Sequence, residues 1–482
     1  MGGAEGRRSG PSDTRAGGLS SETCAPGTPY PVGAVIAWVS VSMGIDRQES
    51  VSLFERNRRR SRDLFDAVVP DAYESRPIAL RNPICFYEGH LPAFNVNTLV
   101  KRGLGEAGID PEFEVLFERG IDPEDPSAVG RVPFRWPSRE EIQAYGDRAD
   151  QVIRKALLEK DVVRDENPVL RGGQAAHTIL EHEPMHQETL RYMWHRLPYE
   201  KKIRPAGALP PEIGGSPPPP ETVRIPAGTA TLGATLGRVP FGWDNEFPEH
   251  RVEVSAFEID VYNVTNSEFL EFVGARGYED RALWDEEGWR WRSEAGVNHP
   301  LFWERENGHW FWRGMFERIP LPPAWPVYVS HAEAAAFARW KGKRLPTEAE
   351  FHRAAYGTPG GTERSYPWGD EPPDATRGNF DFRHSDPTPV GEFPAGASAW
   401  GVHDLVGNGW EWTSTVFAPF PGFEPMASYP VYSADFFDGK HWVMKGASPA
   451  TAKELLRRSV RNWFRGNYPY VYASFRCVKS DD

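Results

Sequence analysis

The sequence predicts an α+β chain: a helical first part and, behind a proline-rich joint, a mixed second part with little regular structure. Three observations predict it. Between residues 51 and 195 apolar side chains recur at helical spacing. Leu209 to Pro220 reads L-P-P-E-I-G-G-S-P-P-P-P, and four prolines in a row can be neither helix nor central strand. Beyond that joint short strand patterns alternate with turns, and no clean alternation runs longer than about seven residues. The chain has 18 Trp and 45 Pro, and 15 of the Trp fall in this second part, which suits an aromatic-rich, loop-heavy fold. The expected organisation is residues 1–42 as a disordered or mis-called extension, 43–208 as a helical domain, 209–220 as linker and 221–482 as the mixed domain.

In chain order, the first 42 residues are rich in Gly, Ser and Arg up to the apolar run from Val32 to Ser42. That run is too short to span a bilayer and too far from the start for a signal peptide, so Met43 is the expected start. Val51 to Val69 carries Val51, Leu53, Phe54, Leu64, Phe65 and Val68 at helical spacing, with Arg56, Arg58, Arg59, Arg60 and Arg62 among the positions between, read as a solvated face. Pro77 and Pro83 delimit an extended approach, after which Leu91 to Arg102 resumes a helix and His90 falls near its start. Ser138 to Lys160 is a helix with Ser138 as N-cap and Glu141 three residues on, a capping box. Gly173 to His195 is the helix of greatest interest.

Within it, Leu180 to Glu188 reads L-E-H-E-P-M-H-Q-E. His182 and His186 stand four apart, on one face of a helix, so their imidazoles can converge on one metal ion. H-E-x-x-H is also the zinc hydrolase signature, with Glu183 as general base. Pro184 between the histidines and the extension to H-x-x-x-H-x-E through Glu188 argue against that reading. A catalytic metal needs a third protein ligand and open positions besides, which makes His90 a ligand candidate rather than an incidental histidine. Three or four helices with histidines on two of them describe a bundle with a metal in its core.

After the linker come V-R-I-P-A-G-T-A-T-L-G-A and F-E-I-D-V-Y-N-V-T-N, then short helices at Asn266 to Gly274 and His331 to Lys341 and a third capped by Thr347. The net charge of −13, with both signs interspersed, argues against nucleic acid as the main partner. Cys24, Cys85 and Cys477 are too few and too scattered for a disulfide framework or a zinc–thiolate cluster. A cytoplasmic protein with small-molecule substrates and no membrane partner is expected.

Several motifs carry a resemblance. N-V-T-N-S-E-F at Asn263 to Phe269, G-K-R-L-P-T-E-A-E at Gly342 to Glu350, G-N-G-W-E-W at Gly407 to Trp412 and F-R-C-V at Phe475 to Val478 resemble the formylglycine-generating-enzyme (sulfatase-modifying factor) fold, a C-type-lectin-like module. The first part, through H-x-x-x-H-x-E, resembles a DinB-like four-helix bundle. In this order the two resemble the ergothioneine sulfoxide synthases of the EgtB type, close also to selenoneine and ovothiol synthases.

The resemblance implies a mononuclear non-haem iron(II) enzyme that uses O2 to join a sulfur donor to C2 of the hercynine imidazole, leaving a sulfoxide. It implies His90, His182 and His186 as the iron ligands, a neutral set that suits iron and leaves positions open. Glu183 or Glu188 is the expected acceptor for a ligand's second ring N–H. Arg461, Asn462 and Trp463 are implied as the hercynine-binding segment, with an aromatic wall suited to a quaternary ammonium. Members that take gamma-glutamylcysteine have an Asp after the N-W pair, and this chain has Phe464. The position before the second His of the pair, Gln in some members, is Met185. These departures point away from gamma-glutamylcysteine and toward cysteine or a selenium-containing sugar. Tyrosine candidates are Tyr87, Tyr429, Tyr468, Tyr470 and Tyr472, of which Tyr87 and Tyr470 are carried forward as catalytic. Cys477 as the single cysteine of the second part disfavours formylglycine generation itself. A lectin-like binding module on a degenerate bundle and a zinc hydrolase remain as other readings; the iron reading alone requires His90.

Overall fold

The computed structural model describes residues 45–118 and 135–480, so the expectations for residues 1–42 and Met43 lie outside the described residues. Helix α1 (Arg47–Asp66) starts ahead of its apolar pattern because Asp46 caps it, accepting from the Glu49 N–H at 2.8 Å. Helix α2 (Ile84–Asn95) begins directly after Pro83 and continues as a π-helical turn over Val96–Gly103. Every residue of α2 is buried, so the helix has no polar stripe to reveal its period. Its start lies well before the expected Leu91, and His90 sits in its interior rather than near its beginning. The short α3 (Pro111–Leu116) precedes α4 (Arg139–Glu159), which opens on the Ser138–Glu141 capping box read from the sequence. Helix α5 (Gln174–Arg196) carries the histidine pair and stays helical through Pro184.

Helices α1, α2, α4 and α5 pack on one another around a core that includes Val51, Phe54, Phe94, Ile153, Leu157 and Ile179. The arginines of α1 are not all solvated. Arg58 is buried, and donates to Asp150 Oδ1 and Glu183 Oε1, each at 2.8 Å. A buried guanidinium is tolerated when carboxylates of neighbouring helices pair with it, and periodicity alone cannot show those partners.

Residues 209–220 form neither helix nor strand. The second part contains β1 (Thr222–Ile225), β2 (Gly228–Leu232), β3 (His250–Val254) and β4 (Phe257–Asp260), then α6 (Asn266–Gly274), α7 (Glu286–Glu294) and the meander β5 (Trp303–Glu306), β6 (His309–Arg313), β7 (Arg318–Pro320). Helices α8 (His331–Trp340) and α9 (Glu348–Tyr356) follow, then β8 (Gly409–Val416), β9 (His441–Ala447), β10 (Asn462–Arg465), β11 (Ala473–Ser474) and β12 (Val478–Ser480). Thr265, Ser330 and Thr347 start α6, α8 and α9 with capping boxes. One sheet has the order β10-β9-β8-β11, and another the order β1-β4-β12, which sets Val478 opposite Ile259 and returns the end of the chain to the beginning of this part.

The two parts share a core. Leu190 and Trp194 of α5 lie in the same buried cluster as Phe302, Tyr328, Trp410 and Tyr472. Among the described residues no helix is long and apolar enough to cross a membrane.

Candidate metal centre

α2 and α5 bring His90, His182 and His186 together, with one ring nitrogen from each within 4.8 Å of the others. Because His182 and His186 are one helical turn apart, their Nε2 atoms approach to 3.1 Å. The His90 ring lies 5.3 Å from that of His182 and 4.9 Å from that of His186. His90 Nδ1 lies 2.8 Å from the carbonyl oxygen of Phe117 at the end of α3. A carbonyl only accepts, so the proton sits on Nδ1 and the Nε2 lone pair faces inward.

Aromatic rings hold the imidazoles in place. Phe86 stacks on His90 (5.3 Å, 17°), Phe94 on His182 (3.5 Å, 10°), and Tyr87 leans on His186 at 5.7 Å. Burial pushes the His90 imidazole down to about 4. Burial, then His186, His90 and Arg102, hold His182 well below the usual range; burial, then His90 and Arg81, do the same for His186. The three are therefore neutral at physiological pH. His90 Nε2 is buried without a hydrogen-bond partner among the described residues, as are the Nδ1 atoms of His182 and His186. Three neutral, converging imidazoles with an unused inward lone pair are the donor set that a first-row transition metal takes, with coordination positions left for other ligands.

The acidic residues of the motif do something other than expected. Glu183 accepts from Arg58 at 2.8 Å and from Ser61 Oγ at 2.6 Å. Glu188 accepts from Trp410 Nε1 (2.7 Å), Ser448 Oγ (2.6 Å) and Thr451 Oγ1 (2.9 Å). Neither holds a ligand N–H: both point away from the histidine face of α5, Glu183 to α1 and Glu188 to the second part. Glu181 extends this attachment, since Arg457 donates to Glu181 (2.8 Å) and also to Glu246.

The residues of the second part divide. Trp463 stacks on Phe417 (4.2 Å, 5°), meets Tyr432 edge-on at 5.2 Å and, like Met185 and Tyr429, packs against the buried cluster of Phe241, Trp243, Met426 and Tyr432. Met185 lies 3.9 Å from the Tyr432 hydroxyl. Asn462 is half-buried, and its side-chain oxygen accepts from the Trp463 N–H at 2.8 Å. Arg461, expected to bind substrate, is instead buried against Glu348 at 3.0 Å and caps the carbonyls of Asn245 and Ala418. Phe464 alternates to the other side of β10 from Trp463, where it stacks on Tyr468 (5.0 Å, 16°) with the Arg81 guanidinium 5.8 Å from its ring.

Of the tyrosines, Tyr87 and Tyr429 have ring contacts with the histidines, Tyr429 lying 6.1 Å from His182 and 5.2 Å from Phe94. Tyr470, expected as catalytic, packs its ring on Tyr468 instead, because the chain turns back between Arg465 and Tyr468. Tyr472 is engaged with His195 at 3.0 Å. Tyr429 sits in the loop S-Y-P-V-Y, anchored to α5 through Ser428, whose N–H donates to Gln174 Oε1 (3.1 Å) and whose hydroxyl meets that of Thr178 (2.8 Å). Nothing periodic marks that loop; Pro430 between two aromatics is its single signal. Arg81, missed in the sequence, is buried and donates to the hydroxyls of Tyr192 and Tyr468.

A mixed helix-and-sheet part packed against a helical part with a three-histidine cluster defines a class, and comparison with known proteins agrees. The sulfatase-modifying factor enzyme 1-like domain matches residues 210–481. Over both parts the chain is similar to hercynine oxygenase of Mycolicibacterium thermoresistibile, 36% identical over 378 residues, 76% of this chain and 80% of that protein. It belongs to the hercynine oxygenase family. It is also 29% identical to ergothioneine biosynthesis protein 1 of Schizosaccharomyces pombe, covering 90% of this chain and 55% of that longer protein. Among solved structures, PvdO from Pseudomonas aeruginosa matches with a TM-score of 0.35 at 22% identity, over 58% of this chain and all of PvdO.

Proposed function

We propose that the protein is an O2-dependent enzyme of ergothioneine biosynthesis that joins a thiol to C2 of hercynine as the sulfoxide. The convergence of His90, His182 and His186 beside a wall built by Met185, Tyr429 and Trp463 carries this reading. The balance is one thiol, one imidazole C–H and one O2 giving one sulfoxide and one water. Iron(II) held by the three histidines would supply O2 activation and thiolate binding.

The chain's own residues supply the rest. The aromatic wall of Trp463, Tyr432 and Trp243 offers ring faces to a trimethylammonium group. Asn462, half-buried at its edge, presents an amide to a carboxylate. Tyr87 and Tyr429 put phenols against two different ligand rings, where each can pass a proton to or from a reacting atom.

Cysteine is the donor this reading favours. Phe464 presents no carboxylate to a gamma-glutamyl ammonium, and the nearby charge is the cation Arg81; an unpaired buried ammonium costs several kcal/mol. A second reading, a selenium-containing sugar as donor, draws support from the parallel Phe464–Tyr468 ring pair, a flat face of the kind on which sugars stack.

The test is incubation of iron(II)-loaded protein with hercynine, O2 and the three donors in competition, read by product mass spectrometry. Coupled product from cysteine or the selenosugar in excess over gamma-glutamylcysteine is expected. No hercynine-derived product with any donor would overturn the assignment, and a dominant gamma-glutamyl sulfoxide would overturn the donor reading alone.

A further inference from the structure

Beside the aromatic wall lies a buried carboxylate with no cation of its own. Trp243 stacks on Tyr432 (4.0 Å, 26°), and the residues that follow these two in the chain, Asp244 and Ser433, are bonded to each other, the Ser433 hydroxyl donating to Asp244 Oδ1. The Asn245 amide donates to the same Ser433 oxygen at 2.9 Å. One hydrogen bond thus fixes the carboxylate next to the stacked rings. Asp244, Asn245 and Ser433 are all buried. Asp244 Oδ2 makes no hydrogen bond among the described residues, and no cation pairs with either of its oxygens there.

The nearby cations are already committed. Arg457 joins two carboxylates, Glu181 and Glu246. Arg461 is held by Glu348 at 3.0 Å, and Lys445 lies 3.9 Å from the same Glu348 and donates to the carbonyls of Arg458 and Val460. Burial pushes the Asp244 carboxyl up to about 6 against the pull of the Ser433 hydroxyl and the Met426 and Asn245 N–H groups, so it is ionised at pH 7. A buried carboxylate without a partner is costly, and an asparagine in its place would keep the Ser433 bond without that cost. The charge itself therefore serves something outside the protein's own bonding. The same rings lead to the histidines: the Tyr432 hydroxyl is 3.9 Å from Met185 Sδ, and the Tyr432 ring is 5.8 Å from that of Tyr429, which lies 6.1 Å from His182.

We propose that Asp244 is the counter-charge for the substrate's trimethylammonium group seated on the Trp243 and Tyr432 rings, and so sets the preference of the site for the betaine over an analogue without the positive charge. This rests on the reading of hercynine as substrate. A quaternary ammonium has no N–H to donate, so it is held by ring faces and by attraction through space, which a buried carboxylate exerts at low dielectric.

The experiment titrates the full-length, iron(II)-loaded protein by calorimetry without O2, using hercynine and its uncharged isostere in which a tert-butyl carbon replaces the quaternary nitrogen. Asp244→Asn keeps an oxygen for Ser433 and should bind hercynine about tenfold more weakly than the wild type, with affinity for the isostere unchanged. Equal hercynine affinity in the two proteins overturns the proposal, as does an equal loss for both ligands, which is what a structural role alone would give. Wild-type protein that binds neither ligand overturns the substrate reading and this inference with it. Crystals of the wild-type complex with hercynine provide a reading that needs no variant: the ammonium within about 8 Å of the Asp244 carboxylate, one Debye length, is expected, and an ammonium on the far side of the histidines overturns the assignment.

Discussion

The indole N–H of Trp410 donates to Glu188 at 2.7 Å, and this bond joins the helix that carries His182 and His186 to a central strand of the second part. Ser448 and Thr451 complete the grip on the same carboxylate. Glu188→Ala leaves three buried donors unpaired, and should cost about 2 to 4 kcal/mol of stability in urea unfolding. Glu188→Gln, which keeps one acceptor, should cost less than the alanine variant.

Arg457 is the second fastening, between Glu181 on α5 and Glu246 in the second part. Removing it strands two buried carboxylates. Arg457→Met should therefore lose about 3 to 5 kcal/mol. The double variant Arg457→Met with Glu246→Gln should recover part of that loss in the same unfolding measurement, because one stranded charge is gone.

The histidines behave differently. His90→Ala, His182→Ala and His186→Ala should each fail to retain stoichiometric iron by elemental analysis and should lose hercynine turnover. Circular dichroism should still show a folded chain, since the apolar clusters around Leu180 and Leu190 do not depend on the imidazoles. A variant that keeps full iron would remove its histidine from the ligand set.

Acid should unfold the protein partly through His331, which is buried on Trp442 (4.0 Å) and lowered by that burial to about 3. The unfolded chain takes up this proton near pH 6.5 and the folded chain does not. The contribution is thus complete above pH 6.5 and lost as pH falls toward 3, roughly 3 kcal/mol between pH 6.5 and 4. Chemical unfolding as a function of pH should show a shallower acid slope in His331→Gln than in the wild type.

Features set by neighbours in sequence were legible before the fold was known. The capping box at Ser138, the short helix at Asn266 and the cap at Thr347 need only three or four adjacent residues, and the i, i+4 spacing of His182 and His186 is of the same kind. What could not be read depends on distant partners. Glu183 and Glu188 looked like supports for the histidines because they are adjacent to them in sequence, yet Arg58 and Trp410 claim them. Helix α2 hid its beginning because burial on all sides erased its period. Arg461 sits beside the half-buried Asn462 and Trp463, but its own side chain is spent on Glu348. Tyr429 comes from a loop with no repeat to mark it.

The partners of Glu188 also set a timetable for synthesis. Trp410, Ser448 and Thr451 follow it by 222, 260 and 263 positions. At translation speeds of 5 to 20 residues per second, the helix bearing two of the three histidines waits roughly 13 to 50 s for the residues that fasten it. Strand β12, which pairs with β4, emerges later still. Throughout that interval the nascent chain presents Glu181, Glu188 and the apolar face around Leu190 and Trp194 without their final neighbours.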